Sequence, residues 1–316
     1  MYLYFTYALN KLCLHKSFPH FAINGTFIML LTAKGALLKL ATWNVRSGGY
    51  DRYVPLDEPL HGLPPRLPSI SHVTRNLLNH PGMAAVGFLD VFGWADLPGL
   101  MSLISLGRTD YRHYSISLDD SRPDMDPRLG ITVLASGAVE AINTVRIATR
   151  NCVKLMVRNG TGYRAAYMVY LDDLDPTVRL RQIQAILDDA RHSPDIPVVI
   201  MGDINNSCPG CAPGWLKATA KLAGLGILSR RPILQAVHGL TNVQTPDALL
   251  AAGYHHARLG KSQVTARPQI HERLPGVPLG IDQAWTNQTH GFSGTSVDTP
   301  MVRQASDHLP VVVTCA

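Results

Sequence analysis

The sequence has no apolar run long enough to cross a bilayer as a helix. The stretch between Asn24 and Lys34 is apolar, but it is well short of the roughly 20 residues that a transmembrane helix needs. Lys11 and Lys16 precede it in the manner of a signal peptide, although its cleavage region is poorly formed. We therefore expect no transmembrane segment and a cytoplasmic location, with secretion through this region as the open alternative.

Cysteine is also scarce. The chain has five cysteines, an odd number and too few for a disulfide scaffold in a domain of this length, which favours a reducing compartment. Cys208 and Cys211 form a lone Cys-x-x-Cys, and a structural zinc site there would need further ligands such as His238, His255 or His256. Because there is no second Cys-x-x-Cys, we do not expect zinc at this position.

Charged residues make up only 16% of the chain and hydrophobic residues 46%, a composition that excludes disordered and fibrous classes. Basic residues still outnumber acidic ones, 29 against 23, and the formal net charge of +6 weakly favours a polyanionic partner. Short basic groups lie at 146–154, 179–181 and 230–231, and we interpret each as a solvated helix face or loop. Helix-turn-helix, RNP and zinc-finger patterns are absent, so no known nucleic-acid module identifies the partner.

No linker, internal repeat or low-complexity tract divides the chain after residue 36. We therefore predict a single domain over residues 36–316. Residues 1–35 do not match the rest of the chain. We expect them to be an N-terminal extension, either disordered or the product of a start assigned upstream of Met29.

Strand-like and helix-like segments alternate along the predicted domain. Leu38 to Val45 alternates in side-chain character, and Pro197 to Met201 is almost wholly apolar, as a strand buried on both faces requires. Helical spacing of apolar residues predicts helices over 69–78 and 177–190, the second capped by Asp175. Further strands are predicted at 84–88, 130–135, 139–148, 154–157, 163–171 and 309–314. This mixture favours two packed β-sheets with helices outside.

Polar side chains cluster at the ends of the apolar strands, where an α/β scaffold presents groups to a shared cleft. Alone, each has a plain structural interpretation, because Asp and Asn cap turns and a single His is more often hydrogen-bonded than catalytic. Their combination in this order is harder to explain in that way. The five segments are Thr42-Trp43-Asn44, Phe88-Leu89-Asp90, Met201-Gly202-Asp203-Ile204-Asn205, Gly280-Ile281-Asp282-Gln283 and Ala305-Ser306-Asp307-His308-Leu309-Pro310.

The ordered motifs resemble those of the endonuclease/exonuclease/phosphatase superfamily, which includes pancreatic deoxyribonuclease and the apurinic endonucleases. The most specific pair is Gly-Asp-x-Asn at 202–205 followed near the C-terminus by Ser-Asp-His-x-Pro at 306–310. Further matches are Thr-Trp-Asn-Val at 42–45, the strand at 130–136, the helical segment 179–182 and Ile-Asp at 281–282. The resemblance implies an α/β fold of two packed mixed β-sheets flanked by helices, a four-layer sandwich.

The same resemblance implies a divalent metal, Mg²⁺ or Mn²⁺, held near the substrate phosphate by Asn44 and Asp90. Carboxylate and amide oxygens are the donors that these ions prefer. Asp307 is expected to be a further metal ligand or a support. The family usually has Glu in a Gln-Glu pair where this chain has Leu89-Asp90, so the shorter carboxylate leaves rate and metal preference open.

The implied catalytic residues come from the other matched positions. Asp203 is expected to orient or deprotonate the attacking water, and Asn205 to hydrogen-bond a phosphoryl oxygen. His308, oriented by Asp282, is expected to donate a hydrogen bond or proton to the phosphate. Tyr170 stands where some relatives have a tyrosine hydroxyl near the phosphate, and plain packing is the equal alternative.

The leading functional hypothesis is therefore metal-dependent hydrolysis of phosphate esters, with a nuclease acting on phosphodiesters as its most specific form. A phosphatase or phospholipase acting on small phosphorylated head groups is the alternative within the enzyme class. A catalytically degenerate binding relative is the alternative outside it, although Asp203, Asn205 and His308 are all present. We expect a monomer with nucleic acid or another phosphoester as its partner.

Overall fold

The computed structural model describes residues 37–50, 62–94, 100–105, 108–119, 126–173, 175–206, 242, 244–257, 259, 265–266 and 280–316. Within these ranges, no helix combines the length and the apolar character needed to cross a membrane. Several features discussed above lie outside the described residues: the N-terminal extension, Cys208, Cys211, His238, and the pair Arg230 and Arg231.

One six-stranded sheet is centred on β1 (Leu38–Asn44). Its other strands are β2 (Met83–Phe92), β3 (Tyr111–Ser117), β4 (Leu129–Ser136), β11 (Phe292–Ser296) and β12 (Val311–Cys315), in the order β11-β12-β1-β2-β4-β3. Strand β1 pairs parallel with β2 and antiparallel with β12, so the sheet is mixed.

The second six-stranded sheet is also mixed. Its strands are β5 (Val139–Ile147), β6 (Arg150–Asn159), β7 (Gly162–Tyr170), β8 (Val198–Asp203), β9 (His255–His256) and β10 (Asp282–Thr286), in the order β5-β6-β7-β8-β10-β9. Strand β7 runs parallel to β8, whereas β10 is antiparallel to it. The described helices are α1 (Leu67–Leu78), α2 (Leu100–Ser105), α3 (Pro176–Arg191), α4 (Gln244–Ala251) and α5 (Pro300–Ala305), with a short 3-10 turn at Ser47–Gly49.

The two sheets pack face to face, and helices cover their outer faces. Because side chains alternate along a strand, Leu40 of β1 and Met168 of β7 enter the central apolar cluster between the sheets. Trp43 instead faces a cluster under α1, α2 and α5, and Tyr167 faces one under α3 and α4. The sheets approach closely at Gly87, where a Cβ atom would lie 2.3 Å from the sulfur of Met168. The predicted four-layer α/β sandwich is confirmed.

Two sequence-based interpretations need correction. The basic residues Arg150 and Arg179 were expected on solvated surfaces, but both side chains are fully buried. Their guanidinium groups donate to backbone carbonyls of residues 170–172, which removes the usual cost of burying a charge without partners. Asp90 was expected at a strand end, yet β2 continues to Phe92. The chain bulges at Asp90, where φ is 55° and the pairing register with β4 shifts.

Strand β9, at the edge of the second sheet, carries a histidine whose protonation is expected to change the stability of the fold. The ring of His256 packs edge-on against Trp285, with 5.0 Å between the ring centroids. Its Nε2 atom is buried without a partner among the described residues. Burial lowers the pKa of His256 from 6.5 to about 4, so between these values the unfolded chain binds a proton that the folded chain does not. Stability is therefore expected to fall as pH drops from 6.5 towards 4, by roughly 3 kcal/mol in total from this residue.

Chemical denaturation across this pH range tests the effect with two variants. His256→Leu is expected to flatten the acid limb of the stability curve. His255→Leu, which alters the exposed neighbour on the same strand, is expected to keep it. Equal acid sensitivity in all three proteins would contradict the assignment to His256.

Candidate active site

The ends of strands from both sheets meet at one place. Strand β1 of the first sheet ends at Asn44, and strand β8 of the second ends at Asp203. Strand β10 begins at Asp282, which pairs directly with Asp203 in the β8–β10 register. The amide of Asn44 donates from Nδ2 to Asp203 Oδ2 at 2.9 Å, a buried contact that joins the two sheets. Three side chains distant in sequence are thus brought to one buried cluster.

His308 completes this cluster from the segment between α5 and β12. Its Nδ1 lies 2.9 Å from Asp282 Oδ2 and 3.9 Å from Asp203 Oδ2. Its backbone is held on both sides, since its N–H donates to Ser306 Oγ and its carbonyl accepts from Trp43 Nε1. The Ser306 hydroxyl in turn donates to the carbonyl of Asn44. The ring is therefore fixed relative to the end of β1.

Asp282 is fixed by a segment that sequence reasoning did not identify. Its backbone N–H donates to Thr265 Oγ1, and the carbonyl of Thr265 accepts from the N–H of Leu309, one residue after His308. Thr265 therefore ties both halves of the Asp282–His308 pair together. No pattern in the sequence marked Thr265, because its role arises from a contact across 17 residues to Asp282 and 44 to Leu309.

The charges in this cluster depend on one another. Burial raises the pKa of Asp203 and the nearby carboxylate of Asp282 raises it further, while His308 and the bond from Asn44 oppose the shift. Burial by itself lowers the pKa of His308, but the charges of Asp282 and Asp203 and the hydrogen bond to Asp282 outweigh it and raise the pKa to about 10. His308 is therefore an imidazolium at neutral pH, beside a carboxyl group that accepts protons more readily than usual.

Asn205 follows Asp203 in a left-handed conformation with φ of 51°, which asparagine tolerates better than most residues. Its N–H donates to Asp203 Oδ1 and its Nδ2 donates to the carbonyl of Leu171. That same carbonyl accepts from Arg150 at 2.6 Å, while the N–H of Leu171 donates to the carbonyl of Asp203. The buried arginine thus supports the segment that positions both Asp203 and Asn205.

Tyr170 lies at the end of β7, directly before this segment. Its ring sits 5.1 Å from the guanidinium carbon of Arg150, and its carbonyl accepts from the same group. The side chain is buried. Packing and phosphate donation both stay predictions for Tyr170.

Two of the three predicted metal ligands, Asn44 and Asp90, are held by one turn. Residues 46–49 all have positive φ, between 46° and 90°, and two of them, Arg46 and Ser47, are not glycine. The N–H of Arg46 donates to Asn44 Oδ1 at 2.8 Å, and the next N–H, that of Ser47, donates to Asp90 Oδ2 at 3.0 Å. Consecutive backbone donors thus fix an oxygen of Asn44 and an oxygen of Asp90.

Side chains from two other elements hold this turn in place. Trp94 Nε1 donates to the carbonyl of Gly48 at 2.8 Å. Arg66 donates to the carbonyls of Arg46, Gly49 and Tyr50 and also to that of Ala305 at the end of α5. The turn is therefore tied to the segment that carries His308.

Asp307 pairs with Arg46, whereas its neighbour His308 pairs with Asp282. Its Oδ2 accepts from Arg46 Nη1 at 3.1 Å, and its Oδ1 is buried without a partner among the described residues. Asp282 Oδ1 is likewise buried and unpaired within that part of the chain. Buried carboxylate oxygens without a donor are costly unless a cation or donor meets them. Asn44, Asp90 and Asp307 offer only oxygen donors, the kind that Mg²⁺ and Mn²⁺ prefer. Within the described residues, the side chains whose possible ligand atoms lie within 4.8 Å of one another are instead Asp203, Asp282 and His308.

Comparisons with solved structures find the same architecture. An endonuclease/exonuclease/phosphatase family protein from Leptotrichia buccalis matches with a TM-score of 0.59 at 13% identity, over 88% of this chain and 99% of that one. Truncated Caenorhabditis elegans TDP2 matches with a TM-score of 0.55 at 14% identity, over 88% and 97%. The chain has the endonuclease/exonuclease/phosphatase fold. D. rerio TDP2 complexed with single strand DNA product also matches, with a TM-score of 0.53 at 13% identity, over 88% of this chain and 98% of that one. No family profile and no curated protein matches the sequence.

Within this endonuclease/exonuclease/phosphatase fold, the predicted site residues separate into three groups. Asn44, Asp203, Asp282 and His308 form one continuous contact network, with Asn205 attached through Asp203. Asp307 and Asp90 connect to it through Arg46 and Ser47 of the turn. Tyr170 contacts Arg150, which supports the segment that holds Asn205. Sequence reasoning missed Arg46 and Ser47 as contributors, and their only signal was adjacency to the matched motif at 42–45. Ser306 belongs to the matched motif at 306–310, but no pattern in the sequence assigned it a role of its own.

Proposed function

We propose that this protein is a metal-dependent hydrolase of phosphate esters, and specifically a nuclease that cleaves phosphodiesters by attack of water. The observation that carries the proposal is the buried network of Asn44, Asp203, Asp282 and His308, in which a carboxyl group of raised pKa lies beside an imidazolium. A base beside a cationic donor suits a reaction that removes a proton from water and stabilises the negative charge that develops on the phosphoryl oxygens.

In this proposal Asp203 is the proton acceptor for the attacking water. A general base works best when its pKa lies near the operating pH, and burial moves Asp203 in that direction. The bonds from Asn44 Nδ2 and from the Asn205 N–H hold the two carboxylate oxygens of Asp203 in place. The carboxylate is therefore presented in one orientation rather than as a rotating group.

His308 meets the negative charge that grows on the phosphate oxygens. Its Nδ1 is occupied by Asp282, so Nε2 is the ring nitrogen left to face the substrate. A preorganised donor aimed at developing charge is worth more in a buried site than in water. Asn205 adds an amide donor for a phosphoryl oxygen, and Tyr170 is a second candidate for that role.

Asn44 and Asp90 would hold Mg²⁺ or Mn²⁺, with Asp307 as a further ligand or support. When bound, the ion supplies positive charge that stabilises the phosphoryl transition state. The N–H groups of Arg46 and Ser47 fix one oxygen of each of the first two ligands before any ion arrives. This preorganisation is what a site with few protein ligands requires.

Nucleic acid is the proposed substrate class. The formal net charge of +6 favours a polyanion. One structural neighbour is a TDP2 complexed with single strand DNA product, which supports a similar ligand here. A diester substrate also suits a site whose acid and base lie at one buried point.

The test is hydrolysis by the purified protein, with Mg²⁺ or Mn²⁺ added, of plasmid DNA, abasic duplex, RNA and small phosphoesters. We expect cleavage of nucleic-acid phosphodiesters, and loss of cleavage in folded Asp203→Asn, the control for a contaminating nuclease. Cleavage restricted to phosphomonoesters would favour the small-head-group alternative. Absence of any turnover under all metals would overturn the proposal and favour a binding relative.

A further inference from the structure

Arg46 carries a largely exposed charged side chain next to the site network. The side chain of Arg46 is 46% exposed, whereas the side chains of Asp203 and His308 are 2% and 10% exposed. It therefore lies at the exposed rim of the turn that holds Asn44 and Asp90. One of its nitrogens, Nη1, reaches Asp307, and no other side-chain bond of Arg46 is seen within the described part of the chain.

The backbone of Arg46 is held much more firmly than its exposure suggests. Its N–H donates to Asn44 Oδ1, and its carbonyl accepts from Arg66 Nη2 and from the N–H of Gly49. Its φ of 46° is a conformation that a side chain disfavours, and such outliers persist only where the surroundings impose them. The start of this side chain is thus fixed next to Asn44.

The pairing with Asp307 does not account for this arrangement. An exposed ion pair contributes little to stability, because water screens it and two side chains lose freedom. Asp307 instead links the guanidinium to the segment that carries His308, while the backbone of Arg46 contacts Asn44. A planar guanidinium presents several N–H groups at once and keeps donors for an anion after one bond is made.

We infer that Arg46 binds an anionic phosphate group that flanks the scissile one, so that the protein prefers substrates with more than one phosphate. This inference rests on the proposed phosphodiesterase function. The rim position favours the flanking phosphate over the scissile one, which belongs with the buried groups below. Arg46 is then a specificity residue that separates an oligonucleotide substrate from a small head group, and Asp307 is its positioning residue.

Kinetics on two substrates test this inference. A short single-stranded oligothymidylate has flanking phosphates, whereas bis(p-nitrophenyl) phosphate has a single phosphodiester. Arg46→Gln is expected to raise the KM for the oligonucleotide relative to that for the small diester by about tenfold or more, the loss of one charge-assisted hydrogen bond. Arg46→Lys retains the charge and is expected to lie between Gln and wild type.

The matched control is Arg303→Gln on α5. Arg303 is also an exposed arginine paired with an aspartate, Asp298, and lies outside the site network. The Arg303→Gln substitution removes the same net charge and is expected to leave the KM for both substrates unchanged. If Arg46→Gln and Arg303→Gln weaken the oligonucleotide equally, only general charge is involved and the inference is wrong. Equal losses on both substrates would place Arg46 on the scissile phosphate and overturn it as well.

A binding measurement keeps this test separate from the proposed function. Anisotropy of the fluorescein-labelled oligonucleotide is followed in EDTA against salt concentration. Loss of one phosphate contact is expected to reduce the slope of log affinity against log salt by about 0.7 in Arg46→Gln and not in Arg303→Gln. The wild-type protein could bind the oligonucleotide, with a smaller salt slope in Arg46→Gln only, and yet never hydrolyse it. In that case the phosphate-binding role of Arg46 would stand and the nuclease proposal would fail. Identical slopes in the two variants refute Arg46 whatever the activity.

Discussion

Chelation of divalent ions is expected to abolish phosphodiester hydrolysis by this protein, and added Mg²⁺ or Mn²⁺ to restore it. The site concentrates the carboxyl groups of Asp90, Asp203, Asp282 and Asp307 around one imidazolium and one rim guanidinium. An anionic phosphodiester would be repelled by this arrangement unless a cation offsets it. The measurement is the initial rate after dialysis against EDTA, followed by titration of each metal. Full activity in excess chelator would show that the metal assignment is wrong.

Variants at Asp90 separate loss of metal from loss of fold. Asp90→Ala is expected to raise the metal concentration for half-maximal rate by about tenfold or more, because it removes a ligand that Ser47 preorganises. Asp90→Glu is expected to retain turnover by restoring the reach usual in the family. Asp188→Ala, an exposed carboxylate on α3, is the control. A second readout is thermal stability: Mg²⁺ should raise the Tm of wild type and of the control but not of Asp90→Ala.

The apolar patterns predicted the architecture well because they report burial directly. The nearly continuous apolar run ending in Met201 became β8, all of whose residues are buried, and the spacing over 177–190 became α3. Asp175 caps that helix as predicted, accepting from the N–H groups of Thr177 and Val178. These features depend on local periodicity and capping, which the sequence contains in full.

The site was predicted in its residues but not in its connections. Asp282 and His308 were paired from the resemblance, and their 2.9 Å contact agrees with that pairing. The bond from Asn44 to Asp203 was not anticipated, since it joins residues on different sheets and depends on how those sheets stack. Stacking is set by packing across the whole core, for example at Gly87 and Met168, which no local pattern specifies.

Buried arginine and backbone strain were beyond sequence reasoning for a related reason. Arg150 and Arg179 read as surface charges because arginine is almost never fully buried unless it is paired. Their partners include backbone carbonyls of residues 170–172 and, for Arg150, the carboxylates of Asp172 and Asp173. A sequence does not display which of these groups will face inward. The left-handed conformations of Arg46 and Ser47 follow from contacts with Asn44, Asp90 and Arg66, which no local pattern specifies.

His308→Ala is expected to lower kcat by about 10² to 10³ per folded molecule, the usual cost of losing one donor to the developing charge. Asp282→Asn is expected to lower kcat less, because the ring remains and only its charge and orientation weaken. The measurement is kcat under saturating metal and substrate, with the folded fraction determined by denaturation. His255→Ala, which removes an exposed imidazole from the edge strand β9, is the control and is expected to leave kcat unchanged.

A purely structural role for His308 predicts a different pattern, and the double variant distinguishes the two. His308→Ala leaves the Asp282 carboxylate buried beside Asp203 without its cation, so it is expected to destabilise the fold as well as slow the reaction. Asp282→Asn in the same chain removes that uncompensated charge and should recover much of the stability. If His308 acts on substrate, kcat stays as low as in His308→Ala, because the two residues act as one unit. If turnover recovered together with stability, His308 would be a structural partner of Asp282 and its catalytic assignment would be withdrawn.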